Sequence, residues 1–297
     1  MDAASAARRI ARDRLDVLLD MGGYVRNSPM RIASFRPAPV QGHFLAYPAT
    51  TGAPFMDFIV ADAFVVPPGS EAGFTEEVLR MPRCYQPNDP NRGEPASKPR
   101  AAYGLPDDAL ALCSFNQGVK FRPAAFARWC ELLQALPGSI LWLPGNGEAS
   151  DKRLREFARA RNVDPQRIVF APFVAQDEHI ARLRCADIAI DTFPCTSHTT
   201  ASDALWAGVP LITTYGETFA SRVAASVLHA AGCGDWAFDD PQRAFEATLA
   251  MARDKSLREK ARARLGDRLR SSPLFDSAAY ARALESLVAG AMPRKRS

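Results

Sequence analysis

From Ala109 onward, short apolar runs alternate with amphipathic stretches at a regular spacing, and that rhythm leaves few folds open. Runs suited to buried strands fall at 110–115, 139–143, 167–171, 186–191 and 209–214. Helical patterns fall at 123–136, 151–162, 177–184, 199–207 and 218–231. Strands alternating with helices of this length predict a parallel sheet covered by helices on both faces. Such sheets take ligands beyond the carboxyl ends of their strands. The loops to inspect are therefore 115–122, 143–148, 172–179, 192–199 and 214–219.

The fullest unit of this kind begins at Ala186. Ala186 to Asp191 is one apolar run, Thr192 to Ser197 a tight linker containing Pro194, and helical spacing starts at His198. Gly208 and Pro210 stop that helix before the next strand. A helix that opens with His198, Thr199 and Thr200 presents unpaired N–H groups together with imidazole and hydroxyl donors, a fit for an anion. Plain capping by Thr199 or Thr200 fits the same spacing equally well.

The first hundred residues are less regular. Met1 to Arg14 reads as helix, Leu15 to Asp20 as a strand closed at Gly22-Gly23, and Arg31 to Phe35 as a short helix. Val40 to Tyr47 and Asp57 to Ala61 read as strands, with a small-residue loop containing Gly52 between them. That loop is either a plain turn or a place where backbone approaches a ligand. Thr75, Glu76 and Glu77 predict a helix running to about Arg80. Between Pro87 and Arg100 the composition shifts to Pro, Asn, Asp, Gly, Arg and Lys, the best candidate linker. This places one domain at 1–104 and a second at 105–297, the latter ending in two or three helices broken near Ser271-Ser272-Pro273.

Composition removes several alternatives. With 297 residues, 47% hydrophobic and 24% charged, the chain is long enough for about two domains. The net charge of +4 is mild and sits largely at the ends, which argues against a nucleic-acid partner. Six cysteines without a CxxC pair, no leader and no long apolar span predict reduced thiols in a cytoplasmic protein away from membranes. Cys195 and His198 have metal-like spacing but no second ligand pair, so no metal site is expected. No GxxxxGK[ST], GxGxxG after a strand, or GxSxG occurs, which removes the main support for ATPase, dehydrogenase and hydrolase readings. No Asp-x-Asp occurs either.

The strand-end loops carry donors instead. Lys120 stands beside a glycine turn and suits a phosphate oxygen, or is an ordinary surface lysine. Arg182 shares a helix face with His179 and fits either a pyrophosphate or a local pair with Asp177 or Glu178. Asp203, one turn beyond Thr199, can accept from a ribose diol or lie on the helix surface. Together these groups favour a phosphorylated, nucleotide-like ligand.

Longer motifs narrow this. IDTFPCTSHTTASDALWAGVPLIT followed by GETFASRVAASVLHAAG, together with SFNQGVKFRP, ILWLPGN, RIVFAPFVAQDEH, FRPAPVQGHFLAYPATTGAPFMDFIVAD and LRSSPLFD, resembles the O-linked N-acetylglucosamine transferase family and its SPINDLY-like branch. The resemblance covers about residues 15–280. It implies an α/β, GT-B-type glycosyltransferase with a complete C-terminal Rossmann-like lobe and a partial N-terminal one. It also implies inverting, metal-independent transfer of N-acetylglucosamine from UDP-GlcNAc to Ser or Thr of a protein acceptor, with no cofactor.

By the same resemblance, Lys120 neutralises the leaving diphosphate and Gln117 contacts it. Val174, Gln176, His179 and Arg182 lie round the uracil and ribose. Cys195 faces the sugar, His198, Thr199 and Thr200 cradle the diphosphate, and Asp203 takes the ribose hydroxyls. Gly52 and its loop approach from the other lobe. The chain departs from the family in having Gln176 where a lysine is usual. It also lacks the upstream His-containing segment and the tetratricopeptide repeats, which leaves a non-catalytic nucleotide- or protein-binding module, or another donor such as GDP-fucose, as alternatives.

Overall fold

The computed structural model of the chain describes residues 1–26, 28–93 and 98–292, with the backbone alone at 267 and 268. It divides into two compact units. The first comprises Met1–Pro87, Thr218–Ala220 and Asp276–Ser297, and the second Asn88–Glu217 and Ser221–Phe275.

In the first unit, α1 (Ala3–Arg12) is capped by Asp2, whose carboxylate accepts from the Ser5 N–H at 2.8 Å. The strands β1 (Val17–Asp20), β2 (Val40–His43), β3 (Phe58–Asp62) and β4 (Glu77–Met81) lie side by side in chain order, all parallel, with the short α2 (Met30–Ala33) between β1 and β2. Val40, Phe44, Phe58, Val60, Leu79 and Met81 form its core, and the C-terminal helix Ser277–Ala291 packs Tyr280, Leu284, Leu287 and Val288 against it.

Two expectations are corrected here. The stretch 75–80, expected as helix, is strand β4. Leu79 and Met81 are buried while Val78 and Arg80 are only half-buried, a period of two, and every β4 residue registers with one of β3. Glu76 does not cap a helix. Its buried carboxylate accepts from the Thr51 N–H at 2.6 Å and the Thr50 hydroxyl at 2.6 Å, tying down the loop that holds Gly52. The terminal helices also divide. The last groups with the first unit because its apolar face completes that unit's core, and the boundary between units falls at Pro87 and Asn88, not at 104.

The second unit follows the predicted alternation: β5 (Leu110–Cys113), α3 (Pro123–Ala135), β6 (Ser139–Pro144), α4 (Glu148–Arg159), β7 (Ile168–Ala171), α5 (Gln176–Leu183), β8 (Ile188–Ile190), α6 (Thr199–Trp206), β9 (Leu211–Thr214), α7 (Phe219–Ala230), a two-residue β10 (Ala237–Phe238), α8 (Pro241–Arg253) and α9 (Lys255–Arg268). The sheet order is β10-β9-β8-β5-β6-β7, all parallel. From β5 the chain proceeds one way to β6 and β7; from β8 it proceeds the other way to β9 and β10. The crevice between β5 and β8 is thus the switch point at which open parallel sheets bind ligands.

Candidate functional site

The loops leaving β5 and β8 meet at that switch point through a polar network centred on Asp191. Its Oδ1 accepts from the backbone N–H of Thr192 at 2.7 Å and of Ser197 at 2.8 Å, and from the Ser197 hydroxyl at 2.6 Å. Its Oδ2 accepts from the Thr213 hydroxyl at 2.6 Å. Asn116, from the β5 loop, donates to Ser197 Oγ at 2.7 Å and to Asp191 at 3.4 Å. Burial pushes the Asp191 carboxyl pKa up, while Ser197, Thr213, Thr192 and the charge of Lys120 pull the other way.

Lys120 closes the network. Its Nζ donates to the Thr196 carbonyl at 2.7 Å and to Asn116 Oδ1 at 3.3 Å. An ammonium has three donors, so two of them pin the charge between the loops and one remains for a ligand. Gln117, exposed, precedes the 3₁₀ turn that carries Lys120. At Gly118 a Cβ would lie 2.7 Å from the Asn146 side-chain amide, whose oxygen accepts the Gly118 N–H, so any larger residue would displace Asn146.

The start of α6 resolves the capping alternative. His198 is the N-cap residue and makes no side-chain capping bond, and the Thr200 hydroxyl donates instead to Asn116 Oδ1 at 3.1 Å. Neither threonine caps the helix, so its first N–H groups have no partner within it. Lys120 and Thr200 share Asn116 as acceptor, which brings the cation to this helix start. Cys195 is half-buried, and its carbonyl accepts from the Thr192 hydroxyl at 2.7 Å.

On the other side, Val174 and the exposed Gln176 lead into α5. His179 Nδ1 accepts from Arg182 Nε at 3.1 Å, which leaves the proton on Nε2. Burial and then the Arg182 charge lower the His179 pKa to about 4, so the ring is a neutral donor at physiological pH. Arg182 is itself buried. It donates to the Pro172 carbonyl at 2.6 Å and lies over the Phe115 ring at 4.6 Å. It orients His179 from behind, and among the described residues neither Asp177 nor Glu178 accepts a hydrogen bond from it. Asp203, expected to be open to a ribose, is 4% exposed and ion-paired with Arg92.

Asn116, Asp191, Ser197, Thr213 and Arg92 were missed by sequence reasoning. The one available signal was an acidic residue, Asp191, ending an apolar strand, where a buried carboxylate requires donors. A cavity of about 540 Å³ lies between α3, α8 and the sheet, lined by Trp129, Leu132, Ile212 and Phe245 among others. It reaches Asp191 and Pro194 but none of the expected ligand residues, and its walls are mostly apolar. The polar network, not this cavity, marks the site.

The family model described as glycosyl transferase family 41 matches residues 1–91 and 91–284. The chain belongs to this family. Over 296 residues it is 36% identical to the probable UDP-N-acetylglucosamine–peptide N-acetylglucosaminyltransferase SEC of Arabidopsis thaliana, covering 96% of this chain and 30% of that protein. The tomato (Solanum lycopersicum) SPINDLY protein is 29% identical, covering 97% of this chain and 31% of its own length. The chain therefore spans about a third of the length of these relatives.

Among solved structures, an O-GlcNAc transferase mutant from Thermobaculum terrenum superposes with a TM-score of 0.85 at 27% identity, covering 98% of this chain and 56% of that one. Anabaena HepE, in complex with UDP and glucose, superposes at 0.63 with 14% identity, covering 96% and 81%; this shows the fold alone. The fold of this family 41 chain is of the GT-B glycosyltransferase type, α/β with Rossmann-like units. Among the described residues no helix is long and apolar enough to cross a membrane, and no group of His, Cys, Asp and Glu is arranged to hold a metal ion.

Proposed function

We propose that this chain is the donor-binding region of a cytoplasmic protein O-linked glycosyltransferase that uses UDP-GlcNAc and acts on Ser or Thr of proteins. The observation that carries this reading is the meeting of Lys120 with the start of α6 through Asn116. In the transfer, the acceptor oxygen bonds to the anomeric carbon as the bond to the diphosphate breaks, the diphosphate leaves with the electron pair, and the hydroxyl proton of the acceptor is released to water. Charge develops on the leaving oxygens, where fixed cations and helix N–H groups stabilise the transition state most. Lys120 and the N–H groups of Thr199 and Thr200 supply those charges without a metal. In this reading neutral His179 and the Val174 backbone suit a polar base edge, Asp203 suits the ribose diol, and Cys195 is assigned to the sugar.

Calorimetric titration separates the donors. UDP and UDP-GlcNAc are expected to bind and GDP not; absence of UDP binding, or preference for GDP, would overturn the reading.

A further inference from the structure

Arg92 lies in the irregular segment ahead of β5, yet its side chain is only 11% exposed and that of Asp203 only 5%. One arm of the guanidinium, Nη1, donates to Asp203 Oδ1; the other, Nη2, donates to Asn88 Oδ1 at 3.2 Å. The guanidinium carbon sits 5.9 Å from the ring centre of Trp206, three residues beyond Asp203 on α6, and 5.4 Å from that of Phe275. A planar fork that bonds two oxygens while resting against aromatic rings is what arginine does and lysine does not. This is a built pocket for one side chain, made by four residues distant from it or adjacent in the turn. Nothing in the donor-site reading assigned Arg92 a part.

The chemistry of Asp203 supplies one. Burial pushes its carboxyl pKa up, and Arg92, with a hydrogen bond from the Gln176 amide, pulls it back. Ribose hydroxyls are neutral, so they cannot replace a cation as the counter-charge of a buried carboxylate. A carboxylate has about four acceptor positions. Arg92 and Gln176 use two, which leaves positions for the two hydroxyls of a diol.

We propose that Arg92 is a positioning residue for the ribose subsite, holding Asp203 ionised and aimed so that its remaining lone pairs accept the ribose diol. This rests on the donor-site reading above. It makes the segment before β5 part of nucleotide recognition, although Arg92 itself need not touch the ligand.

The test is calorimetric titration of UDP and of 2′,3′-dideoxy-UDP into wild type, Arg92→Met, Arg92→Lys and Asp203→Asn, with thermal melts of each. Wild type should prefer UDP. Arg92→Met should weaken UDP about tenfold, the effect of losing one charge-assisted hydrogen bond, and leave the dideoxy nucleotide unchanged. Arg92→Lys should recover part of the loss, and it decides the matter should Arg92→Met fail to fold. Asp203→Asn should likewise abolish most of the preference for the diol. Equal loss for both nucleotides, unchanged UDP affinity, or tighter UDP binding (Arg92 as a competitor of the ribose) would overturn the proposal while leaving the donor site standing. Wild type that binds no UDP would overturn the donor-site reading and the proposal together. Wild type that binds both nucleotides equally would overturn the assignment of Asp203 to the ribose and this proposal with it.

Discussion

Each unit has an aspartate at the end of a strand, buried Asp20 at β1 and half-buried Asp191 just after β8, that accepts N–H groups of the following turn, and the two are solved in opposite ways. Asp20, closing β1, accepts from Gly23 at 2.6 Å and Gly22 at 3.3 Å and faces His43 at 3.4 Å; His43 in turn bonds the Tyr47 carbonyl at 2.7 Å. Burial would raise the Asp20 pKa, but His43 and the two glycine N–H groups outweigh it and hold it low. Burial would lower the His43 pKa, but Asp20, with the Tyr47 carbonyl and the Glu76 charge, outweighs that and holds it high. The pair neutralises itself. Asp191, following β8, is met by hydroxyls, amides and backbone, and burial wins. Its nearest cation, Lys120, is held one residue away through Asn116. A charge compensated at contact is structural; a charge compensated at one remove leaves the cation available to a ligand.

The comparison breaks most visibly at Asp191. Asp191→Ala leaves buried donors of Ser197, Thr192 and Thr213 without an acceptor, at roughly 1 kcal/mol or more each. A loss of about 4 kcal/mol in urea unfolding is expected, with loss of UDP binding. Next comes pH. The unfolded chain protonates His179 below pH 6.5, whereas the folded chain resists until about 4. The unfolded state therefore binds more protons in that window, so stability rises with pH from about 4 to about 6.5 and then levels. The slope integrates to roughly 3 kcal/mol and should be missing from the stability curve of His179→Gln, so that it stands alone in the difference between the two proteins. Asp20→Asn should cost about 2 kcal/mol, within the range for a hydrogen bond to a charged group, and leave UDP affinity unchanged. An effect on UDP affinity would mean that the self-neutralised pair is not merely structural. The smallest effect is expected at Gly118→Ala, where Asn146 must shift to admit a Cβ. About 1 kcal/mol of UDP affinity should go with the Gly118–Asn146 hydrogen bond.

What the sequence revealed follows from how local each feature is. The β5-to-α7 alternation was legible because each strand and helix carries its own period, and the loops that matter fall where those periods change. The β4 strand was not legible, because Thr75-Glu76-Glu77 is a sound helix start in isolation and only pairing with β3 overrides it. The C-terminal helix has an apolar face but nothing in its residues says whose core it completes. At the site, Lys120 and the start of α6 stood out as donors beside glycine and helix starts. The Asn116–Ser197 and Arg92–Asp203 bonds span 81 and 111 residues, and no local pattern records such a pairing.

The central claim is that Lys120 is held at the switch point for a diphosphate, and its most direct test compares UDP with uridine. Titrating both into wild type and Lys120→Ala should show UDP affinity falling about thirtyfold, within the range of a charge-assisted hydrogen bond, while uridine binds both proteins alike. Equal UDP affinity in the two proteins, or an equal loss for uridine, would contradict the account.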